Sequence, residues 1–333
     1  MGAHSVAVLG ATGVVGQEIL SILEERRFPV RTLKALASPR SVGKTVRFNG
    51  ETVPVEAAGP TSFKGVELVL ASAGASVTRE LAPAIAASGA VLVDNSSAFR
   101  MRSDVPLVVP EVNGDAIAGH RGIIANPNCV AILLCVAVAP LHRAACVERI
   151  VVSTYQAASG AGLAAMRELE HQTRAVLAGE APAPAALPHP IAFNVFSHNA
   201  AIGPDGYNGE ETKVMNETRK ILGAPELRIT ATCVRVPVLR AHTESINLAL
   251  RDPLGEARAR EILSASPGIE VVDDRERNTF PMPLAATGKD LVYVGRIRDD
   301  PSQPEGRGLQ LFVCGDQLRK GAALNAIQIA ERL

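Results

Sequence analysis

The sequence predicts an α/β protein of two domains, an N-terminal Rossmann-type parallel sheet followed by a second, α+β domain. Three observations predict it. An apolar strand, Val6-Ala7-Val8-Leu9, runs straight into a glycine turn and an amphipathic helix. Strand-like and helical runs then alternate to about residue 128. From Ile150 onwards, several β-rich runs follow one another with few helices between them. The chain is 333 residues long, enough for two domains, and its 47% apolar and 20% charged residues argue against disorder.

The glycine turn is Gly10-Ala11-Thr12-Gly13-Val14-Val15-Gly16, and the helix after it sets Ile19, Leu20, Ile22 and Leu23 on one face. Glycines let a backbone approach a pyrophosphate, and the helix N-terminus faces its charge. The spacing is GxxGxxG, a variation on the GxGxxG fingerprint. A second strand covers residues 32–37. An NAD site carries an acidic residue after this strand to hold the ribose 2′-hydroxyl; here the loop reads Ser38-Pro39-Arg40-Ser41-Val42-Gly43-Lys44. Arg40, Ser41 and Lys44 suit a 2′-phosphate, which favours NADP, although a solvated basic loop would read the same way. Strands at residues 68–73 and 91–94 enclose a helix at 76–88 and continue the parallel sheet. The polar loop Asn95-Ser96-Ser97-Ala98-Phe99-Arg100 follows at the sheet's carboxyl edge, where Arg100 can bind a phosphate or a carboxylate.

Asn126-Pro127-Asn128-Cys129 joins a strand end to a buried apolar helix that begins at Val130. Asn128 is a favourable N-cap, which places Cys129 on the first turn. Unpaired N–H groups and the helix dipole there favour a thiolate, the nucleophilic form of cysteine. A buried cysteine acting as a small hydrophobe is the competing reading.

Residues 150–156 form a β-rich run, followed by Ala157-Ala158-Ser159-Gly160-Ala161-Gly162 and a helix reaching about Leu177. The Pro/Ala-rich residues 181–190 are a loop. Glu210-Glu211-Thr212-Lys213 opens another helix, and strands at 229–235 and 244–250 flank the segment from Val236 to His242. Two short strands follow at 291–297 and 309–314, and residues 316–333 are helical. The domains are therefore expected at 1–128, completed by the helix 316–333, and at 129–315.

Composition narrows the partners. Lys+Arg and Asp+Glu are both 34, and aromatics make up 3% with no Trp, which argues against nucleic-acid and membrane partners and leaves a small molecule. Five widely spaced cysteines with no CxxC pair fit a reducing cytosol, with neither a disulfide framework nor a metal site. The sequence has no signal peptide and no long apolar span, so a cytoplasmic protein is expected.

A nucleotide fold with a polarised cysteine points to aldehyde oxidation, or acyl-phosphate reduction, through a thioester. That chemistry needs an acid/base near the thiol, an anion site for phosphate and a grip on the remainder of the substrate. His242 suits the first, Arg100 and Lys213 the second. Arg235 and Glu210 suit a substrate carboxylate and ammonium.

With these residues in view, the chain resembles the aspartate-semialdehyde dehydrogenase family from end to end. The resemblance rests on GATGVVG, ASPRSVGK, DNSSAFR, NPNC, TYQAASGAG, EETK followed by NETRKIL, and RVPVLRAH, in that order. It implies that Cys129 carries an acyl-thioester and His242 is the acid/base. Gln156 would position the substrate, Arg235 bind its α-carboxylate, Glu210 contact its amino group, and Arg100 and Lys213 bind phosphate. Thr12, Gly13, Val14 and Val15, Arg40, Ser41, Ser159, Gly160 and Asn325 match cofactor positions beside Gly10 and Gly16, although many members carry Gln in place of Asn325. The family further implies a homodimer built on the second domain, which would carry both catalytic and dimerisation surfaces. The implied reaction is NADPH-dependent reduction of L-4-aspartyl phosphate to L-aspartate 4-semialdehyde and phosphate, on the way to lysine, methionine and threonine. Two rivals stand beside it. An N-acetyl-glutamyl-phosphate reductase uses the same chemistry on a substrate with no ammonium for Glu210, and a non-catalytic NADP-binding homologue would not need Cys129, Gln156, Arg235 and His242 together.

Overall fold

The computed structural model describes residues 2–333. The chain divides into two compact units, Met1–Asn128 with Ala322–Leu333, and Cys129–Gly321.

The first unit begins with β1 (His4–Leu9), α1 (Val14–Glu25) and β2 (Val30–Ala37), followed by β3 (Thr45–Phe48), β4 (Glu51–Ala57), β5 (Leu68–Ala71) and α2 (Ala75–Ala87). It continues through β6 (Val91–Asp94), a single turn α3 (Pro110–Asn113) and β7 (Ile123–Ala125). The sheet order is β3-β4-β2-β1-β5-β6-β7. Every pairing is parallel except β3 with β4. β1, β5 and β6 are almost fully buried, as expected of parallel strands covered on both faces. Ile19, Leu20, Ile22 and Leu23 of α1 pack into the same core as Val6, Val8, Leu68 and Leu70, together with Leu324, Ile327 and Ile329 from the end of the chain.

The β3–β4 hairpin was not anticipated in the sequence reading. Its turn is Asn49-Gly50, with φ of 48° and 78°, the positive pair that a two-residue type I′ turn requires. The Asn-Gly signal was present in the sequence, between β3, which alternates exposed and buried residues, and β4, which does so only weakly.

The second unit starts with α4 (Cys129–Ala145), β8 (Val147–Gln156), α5 (Leu163–Leu177), the two-residue β9 (Phe196–Ser197), α6 (Gly209–Leu222) and β10 (Arg228–Arg235). After β11 (His242–Leu250) come α7 (Glu256–Ser264), β12 (Ile269–Val271), a short α8 (Pro283–Ala286), β13 (Val292–Asp299) and β14 (Gly308–Gly315). Its sheet order is β12-β13-β14-β11-β8-β10-β9, with β10 parallel to β8 and β11 antiparallel to both its neighbours. Residues Val130 to Leu141 of α4 are all buried, so the helix is apolar all round rather than amphipathic, which marks it as a core element. Helix α7 and strand β12 were not read from the sequence. α7 is a nine-residue helix with two buried residues, Ala259 and Leu263, and offers little apolar periodicity.

The Pro/Ala-rich loop is held by two side chains of α5. Glu168 accepts N–H groups from Ala185, Ala186 and Leu187, and Gln172 Oε1 accepts those of Ile191 and Ala192.

One boundary differs from expectation. The return to the first unit falls at Ala322, where residue 316 was expected. Asp316 and Gln317 are anchored in the second unit: Asp316 Oδ2 accepts from Arg240 Nε and from the Gly288 N–H, both at 2.6 Å, and Gln317 Oε1 accepts the Ala241 N–H at 2.8 Å. The closing segment is correspondingly not one helix. A π-helical stretch, Arg319–Ala323, precedes α9 (Leu324–Ala330).

Candidate active site

In the first unit the glycine turn is shaped by close backbone approach. Gly10 has φ of +91°, and a Cβ there would lie 2.9 Å from the Ser72 carbonyl carbon. A Cβ at Gly16 would penetrate the Gly10 carbonyl oxygen, so the start of α1 can lie against the end of β1 only with glycine at 16. Gly13 donates its N–H to Gly10 O at 3.0 Å, and Val14 and Val15 open α1. Above this turn is a cavity of about 470 Å³ lined by Gly10, Thr12, Gly13, Ser38, Pro39 and Ser72 among others.

The residue after β2 is Ser38, so no carboxylate stands where an NAD site places one. Ser41 is buried and its hydroxyl lies 3.2 Å from that of Thr12; Arg40 is exposed in the same 3-10 turn. These residues fit a nicotinamide dinucleotide. Two other predicted residues of this unit are tied into its frame. Arg100 is buried and donates to Asn126 O at 2.9 Å and Asn95 O at 2.7 Å. Asn325 gives its amide protons to Val108 O at 2.9 Å and Asn126 Oδ1 at 2.7 Å.

In the second unit one transverse row of the sheet collects most of the predicted residues. The registers place His242 of β11 beside Gln156 at the end of β8, and Gln156 opposite Arg235 at the end of β10. Side chains in one row of a sheet point to the same face. All three are almost fully buried. Cys129 is the first residue of α4, where the dipole favours negative charge. It is close enough to Arg235 to counter part of the effect of burial, which lowers that guanidinium's pKa. Room at the thiol depends on Gly321, since a Cβ there would lie 3.0 Å from the Cys129 Cβ.

His242 is fixed by its neighbours. Its Nδ1 accepts the Ala157 N–H at 3.0 Å, so the neutral ring carries its proton on Nε2. Nε2 faces Gly160, whose hypothetical Cβ would lie 2.9 Å from it; glycine keeps this approach open. Burial, with Arg235 adding to it, pushes the His242 pKa down to about 3. The preceding residue, Ala241, has φ of +74°, a conformation that costs a non-glycine residue of the order of 1–3 kcal/mol and marks a site held under strain.

Glu210 and Lys213 stand one helical turn apart on α6. Glu210 Oε1 accepts from Gln156 Nε2 and its Oε2 from Lys213 Nζ, both at 3.3 Å. The helix is set by a capping box: Asn208 Oδ1 accepts the N–H groups of Glu210 and Glu211, and Glu211 returns to the Asn208 N–H. Glu211 Oε1 also accepts the Cys233 N–H at 2.9 Å, which fastens the head of α6 to β10. Ser159 accepts a bond from Gln317 Nε2 beside Gly160.

Four contributors were not singled out in the sequence. Asn208 was legible as the first residue of an Asn-x-x-Glu capping box. Gln317, His198 and Asn199 carry no local signal, because they are recognisable only by what they touch. Arg235 NH2 lies 2.7 Å from His198 Nε2 and donates to Asn199 Oδ1 at 2.9 Å.

Two family models match the chain: the semialdehyde dehydrogenase NAD binding domain over residues 5–120 and the semialdehyde dehydrogenase dimerisation domain over 138–320. An aspartate-semialdehyde dehydrogenase from a Synechocystis species is 56% identical over 328 residues, 98% of this chain and 96% of its own. The chain belongs to the aspartate-semialdehyde dehydrogenase family. Among solved members, aspartate semialdehyde dehydrogenase II from Vibrio cholerae, complexed with ASA, is 43% identical with a TM-score of 0.96, covering 100% of this chain and 98% of that one. The aspartate semialdehyde dehydrogenase from Candida albicans with NADP is 25% identical with a TM-score of 0.77, over 99% and 98% of the two chains. The family makes the chain an oxidoreductase with a nicotinamide-dinucleotide-binding domain and a dimerisation domain. Among the described residues no helix is long and apolar enough to cross a membrane.

Proposed function

We propose that the chain reduces L-4-aspartyl phosphate to L-aspartate 4-semialdehyde and phosphate, with NADPH as reductant and Cys129 as the acyl carrier. The observation that carries this reading is the row His242–Gln156–Arg235 beside a cysteine at the head of a buried helix.

The Cys129 thiolate attacks the acyl carbon, a C–S bond forms, and the C–O bond to phosphate breaks with departure of inorganic phosphate. A nicotinamide dinucleotide held by the glycine turn would supply the hydride that reduces the thioester to the hemithioacetal level. His242, with its proton on Nε2, donates a hydrogen bond to the oxyanion in both steps, in a buried site where such a bond is strong. Collapse of the hemithioacetal releases the aldehyde and restores the thiolate. Arg235 takes the α-carboxylate, Glu210 the ammonium, Gln156 holds the acyl group, and Lys213 and Arg100 take phosphate.

For the cofactor, the absence of an acidic residue after β2 and the presence of Arg40 and Ser41 favour NADP, and the Candida albicans relative is described with NADP. Ser159 and Gly160 match cofactor positions by the family resemblance. The dimerisation-domain match supports a homodimer, and widely spaced cysteines suited to a reducing compartment support a cytoplasmic setting. The N-acetyl-glutamyl-phosphate rival would leave Glu210 without a cation, and the relatives named above carry the aspartate-semialdehyde name.

The test is phosphate-dependent reduction of NADP with L-aspartate semialdehyde, run beside N-acetyl-glutamate semialdehyde. Turnover of the first alone is expected. Preference for the second would overturn the substrate, and NADP binding with no turnover of either would overturn the activity.

A further inference from the structure

Arg235 has no exposed surface to speak of, and its guanidinium is almost fully committed. NH1 donates to Ala157 O at 2.6 Å and Gln156 O at 3.4 Å. NH2 is met by His198 Nε2 at 2.7 Å and Asn199 Oδ1 at 2.9 Å. Of the five N–H donors of an arginine, only Nε lacks a partner among the described residues. The fork is therefore held at both terminal nitrogens, and its Nε is buried without a partner.

His198 is placed by the backbone. Two-residue β9 pairs antiparallel with β10, and the His198 N–H donates to Cys233 O at 3.1 Å, which anchors the imidazole beside Arg235 on the edge of the sheet. A guanidinium only donates, so the 2.7 Å contact requires the lone pair of His198 to be on Nε2 and its proton on Nδ1. The Ala200 N–H approaches Nδ1 at 3.2 Å and would take the opposite tautomer. The shorter, charge-assisted contact decides between them. A protonated ring would offer no lone pair to either donor. Burial pushes the His198 pKa down to about 4; Arg235 and Lys213 add to this and Glu210 opposes it.

We propose that His198 is a positioning residue of the substrate site. As a neutral acceptor it holds NH2 of Arg235 and sets the plane of the guanidinium, so that the unpartnered Nε edge receives the substrate carboxylate. Asn199 is exposed and is the partner that a carboxylate oxygen replaces on NH2, while His198 stays. This inference rests on the assignment of Arg235 to the carboxylate made above. It makes a second imidazole, distinct from His242, a determinant of substrate affinity. Its role is to be neutral and to accept, which an amide carbonyl can also do and a methyl group cannot.

The experiment is steady-state kinetics of phosphate-dependent NADP reduction for His198→Ala, His198→Gln and Arg235→Lys. His198→Ala is expected to raise KM for L-aspartate semialdehyde about tenfold, the size of one charge-assisted hydrogen bond, with kcat within about threefold. KM for phosphate should change by less than about twofold. His198→Gln should recover most of the loss, because its carboxamide oxygen accepts from NH2. An unchanged KM in His198→Ala, or a fall in kcat that Gln does not rescue, overturns the inference. Arg235→Lys separates the two levels: if it raises KM and His198→Ala does not, only the role of His198 falls; if neither does, the carboxylate assignment falls with it. Should His198→Ala fail to fold, nitrogen NMR of the native enzyme decides. A His198 ring protonated on Nδ1 supports the proposal, and one protonated on Nε2 contradicts it.

Discussion

The glycine turn of the first unit and the His242–Gln156–Arg235 row of the second offer opposite means of recognising a ligand. The turn presents backbone: seven consecutive residues, with Gly10 and Gly16 bare because a Cβ at either would strike neighbouring backbone. The row presents buried side chains from three strands: His242 and Arg235 are fastened to the main chain, through Ala157 N–H to His242 Nδ1 and Arg235 to Ala157 O, and Gln156 is bonded to Glu210. A backbone site tolerates many residues except at its glycines. A side-chain site depends on identity at every position and on the elements that bring those positions together.

The sharpest break in this comparison is expected at the thiol. Cys129→Ser should lower kcat about 10³-fold or more while NADP affinity stays within about twofold, because a neutral hydroxyl is a far poorer nucleophile than a thiolate. Cys135→Ser is the control. That residue lies six positions further along the same helix, fully buried, and burial pushes its thiol pKa well up, so its replacement should leave kcat within about threefold. Equal effects would remove the distinction between a helix-head thiol and a core thiol.

Gly10→Ala should act on the other region. With φ of +91° and backbone at 2.9 Å, the added methyl is expected to raise the Kd for NADP about tenfold or more. Labelling of Cys129 by an electrophile should proceed at the native rate. Slowed labelling would show that the two sites are not separable in this way. Arg40→Ala should be milder and selective, with NADP affinity falling about tenfold and NAD affinity within about twofold, as expected for loss of one contact to a 2′-phosphate. Equal losses would remove the 2′-phosphate argument.

The smallest effect concerns what lies beneath the His242–Gln156–Arg235 row. Glu244 is two residues beyond His242 on the same face of β11, wholly buried, with both carboxylate oxygens lacking a partner among the described residues. Burial raises its pKa well above 4.5, so the folded protein holds a proton that the unfolded chain releases. Folding thus takes up a proton in the window above 4.5, and stability falls as pH rises through it. Glu244→Gln removes the titration. Its Tm should match the native protein near pH 4.5 and exceed it by about 3 °C or more at pH 8. A difference that does not change with pH would mean that Glu244 is not held protonated.

The contrast also explains what could be read from the sequence. The turn, the first strand and α1 are contiguous, so spacing and apolar periodicity expose them. The same holds for the cysteine at the head of α4 and for the capping box of α6, where local rules apply. His198 was not legible: its importance lies in a contact to Arg235 across the pairing of β9 with β10, and β9 is only two residues long. Asn325 matched a cofactor position by resemblance, yet its amide protons belong to Val108 and Asn126, a commitment visible only in three dimensions. The strain at Ala241 was equally hidden, since alanine gives no warning of a positive φ.

The central claim is a covalent acyl group on Cys129, and rapid mixing of the enzyme with L-aspartate semialdehyde and NADP in the absence of phosphate tests it most directly. A burst of one NADPH per active site, an aspartyl thioester on the peptide that contains Cys129, and steady turnover as soon as phosphate is added are expected. A burst with the acyl group on another residue, or phosphate-dependent turnover with no thioester at Cys129, would contradict it.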